Sequence, residues 1–150
     1  MLATVMLWIH ALAGAIWTGT CACFVIAGAA YASSPEQWRD FAMRTAPRLD
    51  RLNLAAAAVL TLSGIVNFLV AGTMRRFAFS ETFMVVLAIK IALLVAMAAA
   101  LAVSWRAESA MLAAGASEAA AATNRIARAY GFTVVAGALA LGFGLWLMGS

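Results

Sequence analysis

Two ionisable side chains sit alone in long apolar runs of this 150-residue chain: His10, the only histidine, and Lys90, the only lysine. A neutral imidazole is a common ligand of copper and of haem iron. Met6 lies one helical turn before His10 on the same face, and a Met/His pair suits Cu(I) or a haem axial site. With one histidine, bis-histidine haem ligation within a single chain is excluded. His with Met, His with Lys, a five-coordinate iron and a site shared between subunits remain. Each residue also has a plainer reading. His10 would donate a hydrogen bond to a backbone carbonyl or to Asn67, Met6 would pack, and Lys90 would snorkel to the interface, stay neutral, or face an anion or a partner subunit.

Other chemistry is poorly represented. All six acids, Glu36, Asp40, Asp50, Glu81, Glu108 and Glu118, are expected in loops or at their edges, which leaves no carboxylate inside the apolar segments. Without such carboxylates, a Ser/His/Asp set or a phosphate-binding glycine loop, neither hydrolysis nor carboxylate-driven pumping is expected. Cys21 and Cys23 are two apart on a helix, so their side chains diverge by about 200° and neither chelate one ion together nor form an unstrained bridge.

These residues need elements to position them, and composition names the class. A hydrophobic fraction of 66%, a charged fraction of 11% and a mean hydropathy of +0.98 mark a protein whose solvent is a bilayer. Runs near 3–31, 53–73, 82–105 and 129–148 are each long enough for a helical span, and none shows the period-2 alternation of a barrel strand. The fold class is all-α: one integral-membrane domain of four transmembrane helices. The first run has no basic n-region and exceeds the usual signal-peptide h-region, so it reads as a retained span.

Arginine placement sets orientation. Arg39, Arg44, Arg48 and Arg51 follow the first span, and Arg106, Arg125 and Arg128 follow the third, against only Arg75 and Arg76 on the other side. The positive-inside rule then puts both termini on the periplasmic side of a bacterial inner membrane. It also accounts for the net charge of +4 without a nucleic-acid partner. In the first loop Ser34, Pro35 and Gln37 form a capping-box pattern. With Trp38, Phe41 and Met43 they predict a short helix over 35–47 lying in the interface plane. Its arginines contact lipid phosphates, or Arg44, Arg48 and Arg51, spaced i, i+4 and i+7, clamp an anion such as a porphyrin propionate. The biased stretch Ala113 to Thr123 is explained by helix propensity.

His10 and Lys90 both fall about 10–12 Å below the outer ends of their helices, and Ser63 and Asn67 reach the same half of the membrane. A polar layer of His10, Asn67, Lys90 and Ser63 is therefore geometrically possible.

Several short motifs resemble a known family. They are Leu7-Trp8-Ile9-His10, Trp17-Thr18-Gly19 with Phe24, Leu60-Thr61-Leu62-Ser63-Gly64 with Asn67, Leu87-Ala88-Ile89-Lys90-Ile91-Ala92-Leu93, and Trp105-Arg106. Over roughly residues 2–106 the chain resembles the membrane domain of the bacterial copper resistance protein D family. More distantly it is similar to the HemJ-type protoporphyrinogen oxidases, which carry a histidine in the first helix and a lysine in the third. The first resemblance implies copper handling at the inner membrane. The second implies b-type haem at His10, a match of Lys90 to the third-helix lysine, and oxidation of a porphyrinogen, so that an enzyme of this kind would be a haem-dependent membrane oxidoreductase. Asn67, Arg44, Arg48 and Arg51 are further candidate cofactor contacts by their placement alone. The chain differs from HemJ after Trp17-Thr18-Gly19, where Thr20-Cys21-Ala22-Cys23 replaces an aromatic-Leu-Pro-Arg sequence. A third reading is a non-catalytic accessory or structural subunit. Small residues at Ala11, Ala15, Gly19 and Cys23, and the glycines Gly137, Gly142 and Gly144, allow close helix approach in a homo-oligomer or larger complex.

Overall fold

The computed structural model describes residues 1–31, 33–113 and 116–149. Residues 114 and 115 of the alanine-rich stretch lie outside these. Four helices carry the chain, α1 (Leu2–Ala30), α2 (Pro35–Met74), α3 (Glu81–Ala113) and α4 (Ala116–Gly149), and no strand occurs among the described residues. Each contains a segment long and apolar enough to cross a membrane. Ala, Leu and Met favour a helix intrinsically, and in an apolar medium a helix satisfies its own backbone hydrogen bonds.

The helices run further than hydropathy alone predicts. The expected interfacial helix over 35–47 and the span from 53 are one 40-residue helix, α2, with Pro47 inside it. Pro47 has no N–H for the preceding turn, which costs about 3 kcal/mol in a helix interior. Continuity is supported by one buried face on which Ala42, Ala46, Asp50, Asn53, Ala56 and Ser63 follow at spacings a helix brings into line. Trp38 packs on Gly28, and Asn53 bonds to Cys21. Between these contacts α2 advances 15 residues while α1 covers 7, roughly 22 Å against 10 Å of helix. The first part of α2 therefore crosses α1 obliquely. Ser34 occupies the N-cap in extended conformation and Pro35 follows at the first helical position, yet the Ser34 side chain makes no capping bond, so the expected capping box is not formed. Likewise Arg106 and Glu108 belong to α3, and Arg125 and Arg128 to α4, where a loop was expected.

Packing is antiparallel between neighbours in sequence. α1 packs on α2 and α4, α3 packs chiefly on α4 and less on α2, and the backbones of α1 and α3 lie diagonally without close approach among the described residues. At one end of the bundle, here the two-turn end, the chain passes from α1 to α2 and from α3 to α4, and the other holds the start of α1, the end of α4 and the passage from α2 to α3. Close α1–α4 packing depends on Gly137, where a Cβ would run into the Thr18 side chain. The core is concentrated toward the two-turn end, around Trp17, Phe24, Met97, Ile126 and Tyr130. Phe24 is its aromatic centre, with ring centroids 4.7 Å from Tyr130, 5.1 Å from Trp38 and 5.6 Å from Phe41. Outside, Trp8, Leu12, Ile26, Leu62, Val95 and Val135 are all exposed. Helices apolar on their outer faces as well suit a lipid environment.

Candidate functional site

His10 is half-buried on α1 and reaches α2. Its Nδ1 lies 3.0 Å from the Leu60 carbonyl oxygen and 3.2 Å from Ser63 Oγ. A carbonyl only accepts, so Nδ1 carries the proton in this arrangement. The Ser63 hydroxyl donates to Val59 O at 2.6 Å, which leaves its oxygen free to share the Nδ1 proton. In a neutral ring so held, Nε2 keeps its lone pair. Gly64 makes room, since a Cβ there would stand 3.1 Å from His10 Cε1. The serine and glycine of the Leu60-Thr61-Leu62-Ser63-Gly64 motif thus seat the imidazole.

The surrounding polar layer is partly assembled. Asn67 does not bond His10; its Nδ2 donates to the Met6 carbonyl at 3.3 Å and ties α2 to α1 one turn nearer the termini end. Met6 is half-buried there. Lys90 is also half-buried, with Nζ 2.9 Å from where a Gly144 Cβ would stand and its charge within electrostatic reach of His10. Among the described residues it has no carboxylate partner. Arg44, Arg48 and Arg51 are not brought to this layer. They are exposed on α2, and Arg51, the nearest in sequence, is nine residues or about 13 Å of helix from Leu60. Among the described residues no group of three or more His, Cys, Asp and Glu side chains could hold a metal ion together.

A second polar cluster lies at the two-turn end and corrects the expectation that no acid enters the bundle. Asp50 on α2 is 1% exposed and Glu108 on α3 is 7% exposed. The Tyr130 hydroxyl donates to Asp50 Oδ1 at 2.5 Å. Ser104, fully buried, faces both Asp50 and Tyr130. The Glu108 carboxyl faces Asp50 from the next turn of α3, with Arg51 close by. Three buried oxygens of this cluster, Asp50 Oδ2, Ser104 Oγ and Glu108 Oε1, have no hydrogen-bond partner. One turn along α2, Asn53 accepts from Thr20 Oγ1 at 2.6 Å and donates to Cys21 Sγ at 3.5 Å.

Hydropathy missed these residues because a carboxylate ends a hydropathy-defined span. A usable signal was periodicity: Ala42, Ala46, Asp50 and Asn53 on α2, and Met97, Leu101, Ser104, Glu108 and Met111 on α3, recur every three or four residues. The small residues Ala11, Ala15 and Gly19 with Cys23 lie on the exposed face of α1, while Ala13, Trp17, Cys21 and Phe24 turn inward. Both cysteines are free, Cys21 buried and Cys23 exposed. Compared with protein families, with characterised proteins and with solved structures, the chain has no match in any of the three.

Proposed function

We propose that this chain is a bacterial inner-membrane protein that handles copper, related in kind to the copper resistance D family it resembles, with His10 Nε2 as a ligand. The observation that carries the reading is the bond from His10 Nδ1 to Leu60 O. Metal-ligating histidines characteristically donate the other ring N–H to a carbonyl or carboxylate, which fixes tautomer and ring orientation. A half-buried thioether one turn away on the same helix suits the soft Cu(I) ion as a second donor. His10 and Met6 would hold the ion, with further donors from the substrate side or a second subunit. The exposed small-residue face of α1 supports such an assembly.

Support for b-type haem is thinner. The exposed arginines stand well along α2 from His10, and a groove of about 380 Å³ between α3 and α4, along Ala96, Ala100, Arg128 and Phe132, is not lined by the imidazole. The exposed arginines at the two-turn end favour that end in the cytoplasm, which sets His10 and Lys90 in the periplasmic half.

The test is copper and iron quantification on detergent-purified protein, with oxidised and reduced absorption spectra of the same sample. Copper that is lost on His10→Ala and reduced on Met6→Ala is the expected outcome. Copper retained in full by His10→Ala would end this reading. A Soret band with stoichiometric iron would replace it with the haem reading, and neither metal would favour an accessory subunit.

A further inference from the structure

The cluster at the two-turn end plays no part in the His10 site, which lies ten residues or about 15 Å away along α2. Buried polar atoms are nearly always hydrogen-bonded, and an orphan costs on the order of 1–3 kcal/mol. Here three orphans belong to side chains that face one another, Ser104 and Glu108 toward Asp50, and two are carboxylate oxygens from different helices. Two carboxylates in one low-dielectric site cannot both ionise without strong repulsion. A proton between Asp50 Oδ2 and Glu108 Oε1 would satisfy both orphans at once, while Tyr130 already serves Oδ1 from the other side.

We infer that Asp50 and Glu108 share one exchangeable proton, so that α2, α3 and α4 together form a proton-binding site at the two-turn end of the bundle. Every packed helix presents a group to it: Cys21 from α1, Asp50 and Arg51 from α2, Ser104 and Glu108 from α3, and Tyr130 from α4. Ser104 is the natural go-between, because its hydroxyl both donates and accepts and it has no other partner. A divalent cation is a poorer occupant. Calcium wants six or more oxygens and magnesium a near-octahedral set, whereas this cluster offers three free oxygens beside an arginine. The proton is therefore the ligand, and the pair is the kind of intramembrane acid that marks proton pathways.

Infrared difference spectroscopy on the purified full-length protein reads the proton directly. One equivalent of protonated carboxyl C=O stretch is expected at neutral pH, disappearing on titration to alkaline pH. The Asp50→Asn/Glu108→Gln double variant should lack it. Tyr130→Phe should keep it at a shifted frequency, because one hydrogen bond to the Asp50 carboxyl is lost. The titration of the unaltered protein stands even if the double variant fails to fold. Absence of the band in the folded protein would overturn the inference. So would its survival in a folded double variant, or its loss on adding sodium or magnesium at constant pH, which would make the pair a cation site.

Discussion

The termini end and the two-turn end of this bundle handle polar groups in opposite ways. Near the termini, His10, Asn67 and Lys90 are half-buried, their bonds run mostly to backbone carbonyls, and apolar side chains such as Trp8 and Leu62 point outward around them. At the two-turn end Asp50, Asn53, Ser104 and Tyr130 are buried outright, Asp50, Asn53 and Tyr130 bond side chain to side chain, and all four sit among the aromatic and alanine packing that holds the four helices together. A half-exposed imidazole with one nitrogen fixed and one free suits a ligand that enters and leaves. A buried network costs more to disturb, because each removed partner strands another polar group. The contrast separates a site that can be altered with little structural consequence from one that also holds the fold.

Mutations can break or sharpen that contrast. The largest effect is expected from Tyr130→Ala, which empties a 2%-exposed aromatic site and strands Asp50; a loss of about 3–5 kcal/mol is expected in reversible unfolding in detergent. Gly137→Val forces a side chain into Thr18 and should cost about 1–3 kcal/mol in the same assay, through α1–α4 separation. Asn53→Ala removes the α1–α2 link through Thr20 and Cys21 and is expected to cost about 1 kcal/mol. At the other end His10→Ala should change stability by less than about 1 kcal/mol while abolishing copper retention. Ser63→Ala is expected to leave stability nearly untouched and to weaken copper binding by roughly tenfold, the lower range for a residue that orients a metal-bound histidine. If His10→Ala unfolds the protein as readily as Tyr130→Ala, the two ends do not differ as described. If Ser63→Ala leaves copper affinity unchanged, the seating of the imidazole is structural alone.

Much of the architecture was legible in the residues. Four apolar runs of span length required four helices, and the only histidine and lysine fell within them at matching depth. The shared level of Ser63 and His10 and the divergence of Cys21 and Cys23 also followed from helical spacing, whereas the hydrogen bond between Ser63 and His10 did not. The lengths of the helices did not. Arginines and acids lower hydropathy, so α2 was expected to begin at 53 and instead begins at Pro35, and α3 was expected to end at 105 and instead reaches Ala113. In those extensions the charged residues divide by face: Arg44, Arg48 and Arg51 point outward and Asp50 inward.

By itself the sequence determined that the chain is helical, apolar on all sides, and poor in ionisable groups near His10 and Lys90, because these follow from composition and from a rise fixed per residue. Only the tertiary structure decided which groups meet. Helix rotation and the oblique course of α2 bring Asp50 under Tyr130 and Glu108, leave Arg44, Arg48 and Arg51 outside, and turn His10 Nδ1 rather than Nε2 toward Leu60. The physical reason is that the period of a helix fixes the faces of one element, whereas the face that turns inward is selected by packing against the others.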